Sequence, residues 1–220
     1  MAKTDRSLGE KVREYLIEKG VETPIRRDKS YLEDEEKLKL IGNHFTRIMT
    51  TLDLNLEDDS LKDTPSRVAK MYLKEVFYGL DYDNFPSCSQ FENRMQYDEM
   101  LIERGISVQS FCEHHFVNIS GMATVAYIPK GKVIGLSKLN RIVKFFSKRP
   151  QVQERLTEQI YHALAYILGT ENIAVIIEAE HHCVKSRGVE DENSDTITSK
   201  LGGEFRNNTV RMELFALVKR

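Results

Sequence analysis

The chain has 220 residues, 40% of them hydrophobic and 30% charged, with a formal net charge of -2. That is enough to bury a substantial core, and the balance excludes a disordered or fibrous polymer. A near-neutral charge gives no footing for nucleic acid, and neither an apolar leader nor an apolar run of bilayer length is present, so the expectation is a cytoplasmic protein with a small-molecule substrate, bound to neither nucleic acid nor membrane.

In chain order, Ser7 with Glu10 three residues on has the pattern of a capping box, and Leu8, Val12, Tyr15 and Leu16 follow at helical spacing up to Gly20. Leu38, Ile41, Phe45, Ile48, Met49 and Leu52 predict a second helix. A third opens at Thr64-Pro65, runs through Val68, Met71, Tyr72 and Val76, and stops at Gly79. Residues 1–95 are therefore expected to form an N-terminal helical module, with residues 96–220 as a second domain.

Past Pro86 the period changes. Ile106 and Val108 alternate with polar neighbours, residues 116–128 are rich in β-formers, and Pro129-Lys130-Gly131 turns the chain, which predicts the two strands of a hairpin. Leu139, Ile142, Val143 and Phe146 predict a helix ended by Pro150, and Val152, Leu156, Ile160, Ala163, Leu164 and Ile167 another ended by Gly169. Residues 173–184 read as a strand, the polar stretch 188–200 as a long loop, and the alternation of Val210, Met212, Leu214, Ala216 and Val218 as a last strand. The predicted order is strand, strand, helix, helix, strand, strand, an α+β class.

The chemistry is concentrated in two short segments. Cys112-Glu113-His114-His115 and His181-His182-Cys183 hold two of the 3 cysteines and four of the 6 histidines. Cys112, His115 and Cys183 are the thiolate and imidazole donors that zinc favours, and three protein ligands leave a fourth position for chemistry. A fourth ligand from His114 or His182 would instead close the shell and make the ion structural. An odd cysteine count argues against a disulfide framework, and Cys88 reads as a bystander. With a period of two, His181 shares a face with Val175, Ile177, Ala179 and Cys183, which makes it the candidate for catalysis beside the metal unless a bulge reverses the alternation.

Four motifs in order, Cys112-Glu113-His114-His115-Phe116, Gly135-Leu136-Ser137-Lys138-Leu139-Asn140-Arg141, Arg149-Pro150-Gln151-Val152-Gln153-Glu154-Arg155-Leu156 and His182-Cys183-Val184-Lys185-Ser186-Arg187-Gly188, resemble those of GTP cyclohydrolase I. Thr64-Pro65-Ser66-Arg67-Val68-Ala69-Lys70-Met71 extends the resemblance into the helical module. It implies the tunnelling fold, with subunit sheets joined into a barrel, a homodecamer of two pentamers, and active sites between subunits. It further implies Zn2+ on Cys112, His115 and Cys183, with His114 and His181 as catalytic histidines. The guanine would be held by Glu154 with Gln153, and the triphosphate by Ser137, Lys138, Arg141, Arg187, Arg67 and Lys70.

The implied reaction opens the imidazole ring of GTP at C8, releases formate, and recloses to 7,8-dihydroneopterin triphosphate. A carboxylate suits guanine because it accepts from N1-H and the 2-amino group together, which adenine cannot offer. A nucleobase deaminase would need a His-x-Glu with Cys-x-x-Cys pattern that the chain lacks. An oligomer with a structural zinc, or a relative acting on another purine or pterin, is the competing reading. The acidic Asp191-Glu192-Asn193 is the one local departure from the resemblance.

Overall fold

The computed structural model describes residues 3–26 and 32–219. Helix α1 (Arg6–Glu18) starts after Asp5, whose carboxylate accepts from the Leu8 amide at 3.0 Å. Asp5 rather than Ser7 is therefore the cap: it satisfies an orphan amide and places negative charge at the positive end of the helix, worth about 1 kcal/mol. Helix α2 (Asp34–Thr51) packs on α3 (Thr64–Lys70). The single helix expected from Thr64 onward divides here, because the backbone widens into a π-helical turn at Met71–Val76. Beyond that turn the Phe77 ring stacks on Tyr72 with centroids 5.2 Å apart.

The rest of the chain runs through strands β1 (Gln90–Glu92), β2 (Leu101–Cys112), β3 (Asn118–Tyr127) and β4 (Lys132–Ile134), helix α4 (Leu136–Ser147), strand β5 (Pro150–Gln151) and helix α5 (Gln153–Leu168). Strand β6 (Ile173–His181), the helical turn α6 (His182–Lys185), strand β7 (Thr196–Leu201) and helix α7 (Asn208–Val218) complete it. The main sheet has the order β5-β2-β3-β6-β7, antiparallel throughout except that β5 runs parallel to the end of β2, while β1 and β4 form a small pair of their own. The expected strand, strand, helix, helix, strand, strand order is present, with α4 and α5 against one face. Val108, Ile142, Leu156, Ile160 and Ile177 share that core with Val12 and Leu16 of α1, so the first helix packs into the same interior as the sheet.

Three further expectations are corrected. Residues 210–218 form a helix, because Val210, Leu214 and Val218 satisfy helical i, i+4 spacing as well as strand alternation, and the Asn207 side chain accepts from the Thr209 amide to start it. Its buried Leu214 packs with Phe205, Ala126, Ala174 and Ile176 on the sheet face opposite α4 and α5. The last strand is instead β7, within the stretch read as a loop, where β-branched Thr196, Ile197 and Thr198 pair with β6. Finally, β6 stops at His181 and Cys183 lies on α6, outside the strand alternation that was used to place it.

Arg149, between α4 and β5, has no exposed side-chain surface and pairs with Glu22, itself 9% exposed, at 3.2 Å. Its guanidinium also donates to Thr23 Oγ1 at 3.3 Å, Tyr82 Oη at 3.4 Å and the Gly79 carbonyl, and lies 4.9 Å from the ring centroids of both Phe145 and Phe146. One side chain thus ties the segment after α1, the turn at Gly79 and the end of α4. Removing one partner of such a pair leaves an uncompensated buried charge. Arg149→Met is expected to lower stability in urea denaturation by about 3–5 kcal/mol, and adding Glu22→Gln to recover part of the loss.

Candidate metal centre and active site

The first two metal candidates come from the tight connection between β2 and β3. Cys112 ends β2; its amide donates to the Val117 carbonyl and its carbonyl accepts from the Phe116 amide, both at 2.8 Å. Closing the turn puts Phe116 in left-handed backbone geometry, φ 52°, which for a bulky residue costs about 1–3 kcal/mol. Its ring packs edge-on to Phe77 at 5.3 Å and Tyr72 at 6.1 Å, so the aromatic cluster of the N-terminal helices holds the turn. Glu113 anchors the other side. Its amide donates to the Gln151 carbonyl at 3.0 Å, and its carboxylate accepts two bonds from Arg155, at 2.5 and 3.3 Å.

The third candidate arrives from the end of β6. Ligand atoms of Cys112, His115 and Cys183 lie within 4.8 Å of one another, the one such group among the described residues. His114 Nδ1 is 3.7 Å from Cys112 Sγ but is not part of that mutually close set. The donors suit a soft or borderline divalent cation. Burial and the adjacent Cys112 thiol push the Cys183 pKa up, so a cation is what would let both sulfurs ionise together. Arg187 Nη1 lies 3.0 Å from His115 Nε2; a guanidinium only donates, so this hydrogen bond and a metal bond at Nε2 would draw on the same lone pair, and ligation through that atom would displace Arg187.

His181 and His182 face apart. His181 turns to α5, where its Nε2 lies 2.8 Å from Gln153 Oε1, whereas His182 Nε2 lies 3.4 Å from Ser120 Oγ on β3. Burial lowers the His181 pKa, and the nearby Glu154 carboxylate opposes that shift. Glu154 is exposed in the first turn of α5, and Gln153 beside it is buried. Ser137, Lys138 and Arg141 occupy the start of α4, and Arg67 and Lys70 belong to α3, where Arg67 pairs with Asp63 at 3.3 Å. Among the described residues no hydrogen bond or ion pair joins these five to the metal group; of the expected cations only Arg187 reaches it. The Glu113–Arg155 tie was not read from the sequence, since partners 42 residues apart leave no local signal.

An α+β chain that gathers two thiols and an imidazole beside two further histidines and an exposed carboxylate has the plan of a metal-dependent enzyme. Its family is settled by comparison: the GTP cyclohydrolase I family model matches residues 41–219, and the chain belongs to that family. GTP cyclohydrolase 1 of Erwinia tasmaniensis is 56% identical over 209 residues, covering 94% of this chain and 95% of that protein. GTP cyclohydrolase 1 of Enterobacter sp. strain 638 is 55% identical over 209 residues and 94% of both chains, and that of Citrobacter koseri is 54% identical over the same share of each.

The two cysteines outside and inside the group should behave differently. Burial pushes the Cys88 thiol up to about 11, which keeps it protonated and a poor ligand. Elemental analysis of purified protein is expected to find bound metal lost in Cys183→Ser and unchanged in Cys88→Ser.

Proposed function

We propose that this chain is a GTP cyclohydrolase I that uses zinc to open the guanine imidazole ring at C8, release formate and form 7,8-dihydroneopterin triphosphate, the entry to tetrahydrofolate synthesis. The observation that carries the reading is the convergence of Cys112, His115 and Cys183 with no fourth donor among the described residues in that mutually close group. A closed structural site would need that fourth ligand. Zinc held there would supply Lewis acidity and lower the pKa of bound water to about 7.

The chain's own residues do the rest. Glu154 accepts from N1-H and the 2-amino group of guanine, while the buried Gln153 next to it keeps both ends of its amide engaged inside the chain. His181 moves protons at the purine ring, and His114, exposed at the turn, acts in the later ribose opening and reclosure. Arg187 offers a bidentate donor to the triphosphate, with Ser137, Lys138, Arg141, Arg67 and Lys70 completing the charge balance. The distribution of these cations over α3 and α4, apart from the metal group, supports active sites shared between copies of the chain in a tunnelling-fold homodecamer of two pentamers. Among the described residues no helix is long and apolar enough to cross a membrane, which accords with a cytoplasmic enzyme.

The assay is incubation of zinc-loaded protein with GTP, following formate and the fluorescent pterin formed on oxidation of the product, beside a chelator-stripped control. Zinc-dependent appearance of both is expected; absence of both would favour a structural ion or another substrate. His181→Ala should retain its metal and lose about 10²–10⁴ in turnover.

A further inference from the structure

We infer that Gln153 is a positioning residue that fixes the tautomer of His181, so that His181 exchanges protons with substrate through Nδ1. The inference rests on the GTP reading above and alters the part assigned to Gln153, from touching the guanine to holding a catalytic histidine. Gln153 is 1% exposed, and both ends of its amide are engaged inside the chain. Nε2 has two hydrogens for three acceptors, the Ile177 carbonyl at 3.0 Å, the Thr196 carbonyl at 2.9 Å and, sharing one of them, Thr198 Oγ1 at 3.2 Å.

Two of those partners are carbonyl oxygens, which cannot donate, so the opposite amide orientation would set oxygen against oxygen. The threonines agree with this polarity. Thr157 Oγ1 gives its one hydrogen to the Gln153 carbonyl at 2.9 Å, so in its 2.7 Å contact with Thr198 Oγ1 it accepts. Thr198 then donates to Thr157 and keeps lone pairs for Gln153 Nε2.

Gln153 Oε1 is thereby committed to face His181 Nε2 at 2.8 Å, and an amide oxygen only accepts. The hydrogen of the neutral imidazole must therefore reside on Nε2. Nδ1 is left as the basic nitrogen, and among the described residues no hydrogen bond engages it. Strand β7, which supplies Thr196 and Thr198, acquires a function: it orients the amide that orients the histidine.

The test is 15N magic-angle-spinning NMR of zinc-loaded, histidine-labelled protein at a pH where imidazole is neutral, with the His181 signals identified by their loss in His181→Ala. Hydrogen on Nε2 and a bare Nδ1 are expected; hydrogen on Nδ1 would overturn the inference, and this measurement needs no variant of Gln153. In Gln153→Ala, kcat is expected to fall about 10–100-fold with KM for GTP little changed, a part of what removing an acid-base group costs. A raised KM with unchanged kcat would overturn the inference by making Gln153 a direct substrate contact. Absence of GTP turnover in the wild-type protein would overturn the substrate reading alone, since the tautomer is read independently of activity.

Discussion

The antiparallel pairing of β3 with β6, running from Ile119↔His181 to Tyr127↔Ile173, is the constraint on which the site depends. β3 begins just past the turn that carries Cys112 and His115, and β6 ends just before Cys183, so this register alone brings the two segments together. A slip of one residue would turn every side chain of β6 to the opposite face and send His181 away from α5. Gly121 shows how tightly the pairing is set. A Cβ at that position would lie 2.1 Å from the Glu178 carbonyl oxygen, so any side chain there would push the two strands apart.

Around that pairing, α5 acts as the organiser of the site. Within residues 151–155 lie the carbonyl that receives the Glu113 amide, the amide that faces His181, the exposed Glu154 and the Arg155 that grips Glu113. The segment is itself held from behind. The Gln151 amide donates to the Phe146 carbonyl and to Gln159 Oε1, and Gln159 in turn donates to the Val21 carbonyl and Thr23 Oγ1. Arg149 reaches the same residues through Thr23 and Glu22. The network couples the segment after α1 to the metal turn through Gln151 and Glu113, although Gln151 Oε1 and Arg149 Nε are buried without a hydrogen-bond partner among the described residues.

Much of this plan was legible because it rests on periodicity and on rare residue types. The helical stripes of α1, α4 and α5 bury most of the residues their spacing names, with Leu8, Tyr15 and Val152 only half-buried, and the clustering of cysteine and histidine pointed to the three side chains that the fold gathers. The misreadings have physical causes. Val210, Leu214 and Val218 fit both a strand and a helix, and the packing of Leu214 against Phe205, which no local pattern encodes, goes with the helix. Thr196, Ile197 and Thr198 are β-formers hidden behind an acidic loop. Cys183 left its expected face because the chain turns helical after His181, and Asp5 took the cap from Ser7 because its carboxylate reaches the Leu8 amide. The interlocked glutamines and threonines behind His181 were invisible to pattern, since every bond but that of Thr157 to the Gln153 carbonyl joins residues far apart in the chain.

The separation of the candidate metal ligands along the chain has a consequence for how the protein is made. During synthesis at roughly 5–20 residues per second, Cys112 and His115 leave the ribosome several seconds before Cys183 exists. In that interval an ion captured by the nascent chain would have two protein ligands, and the turn that presents them would lack β6 and α5 to hold its shape. The centre is therefore a late product of biogenesis, completed only when the second half of the sheet docks on the first. A thiol oxidised before then would be lost to the site, so assembly of the centre would depend on reducing power and metal supply around the nascent chain as well as on the finished fold.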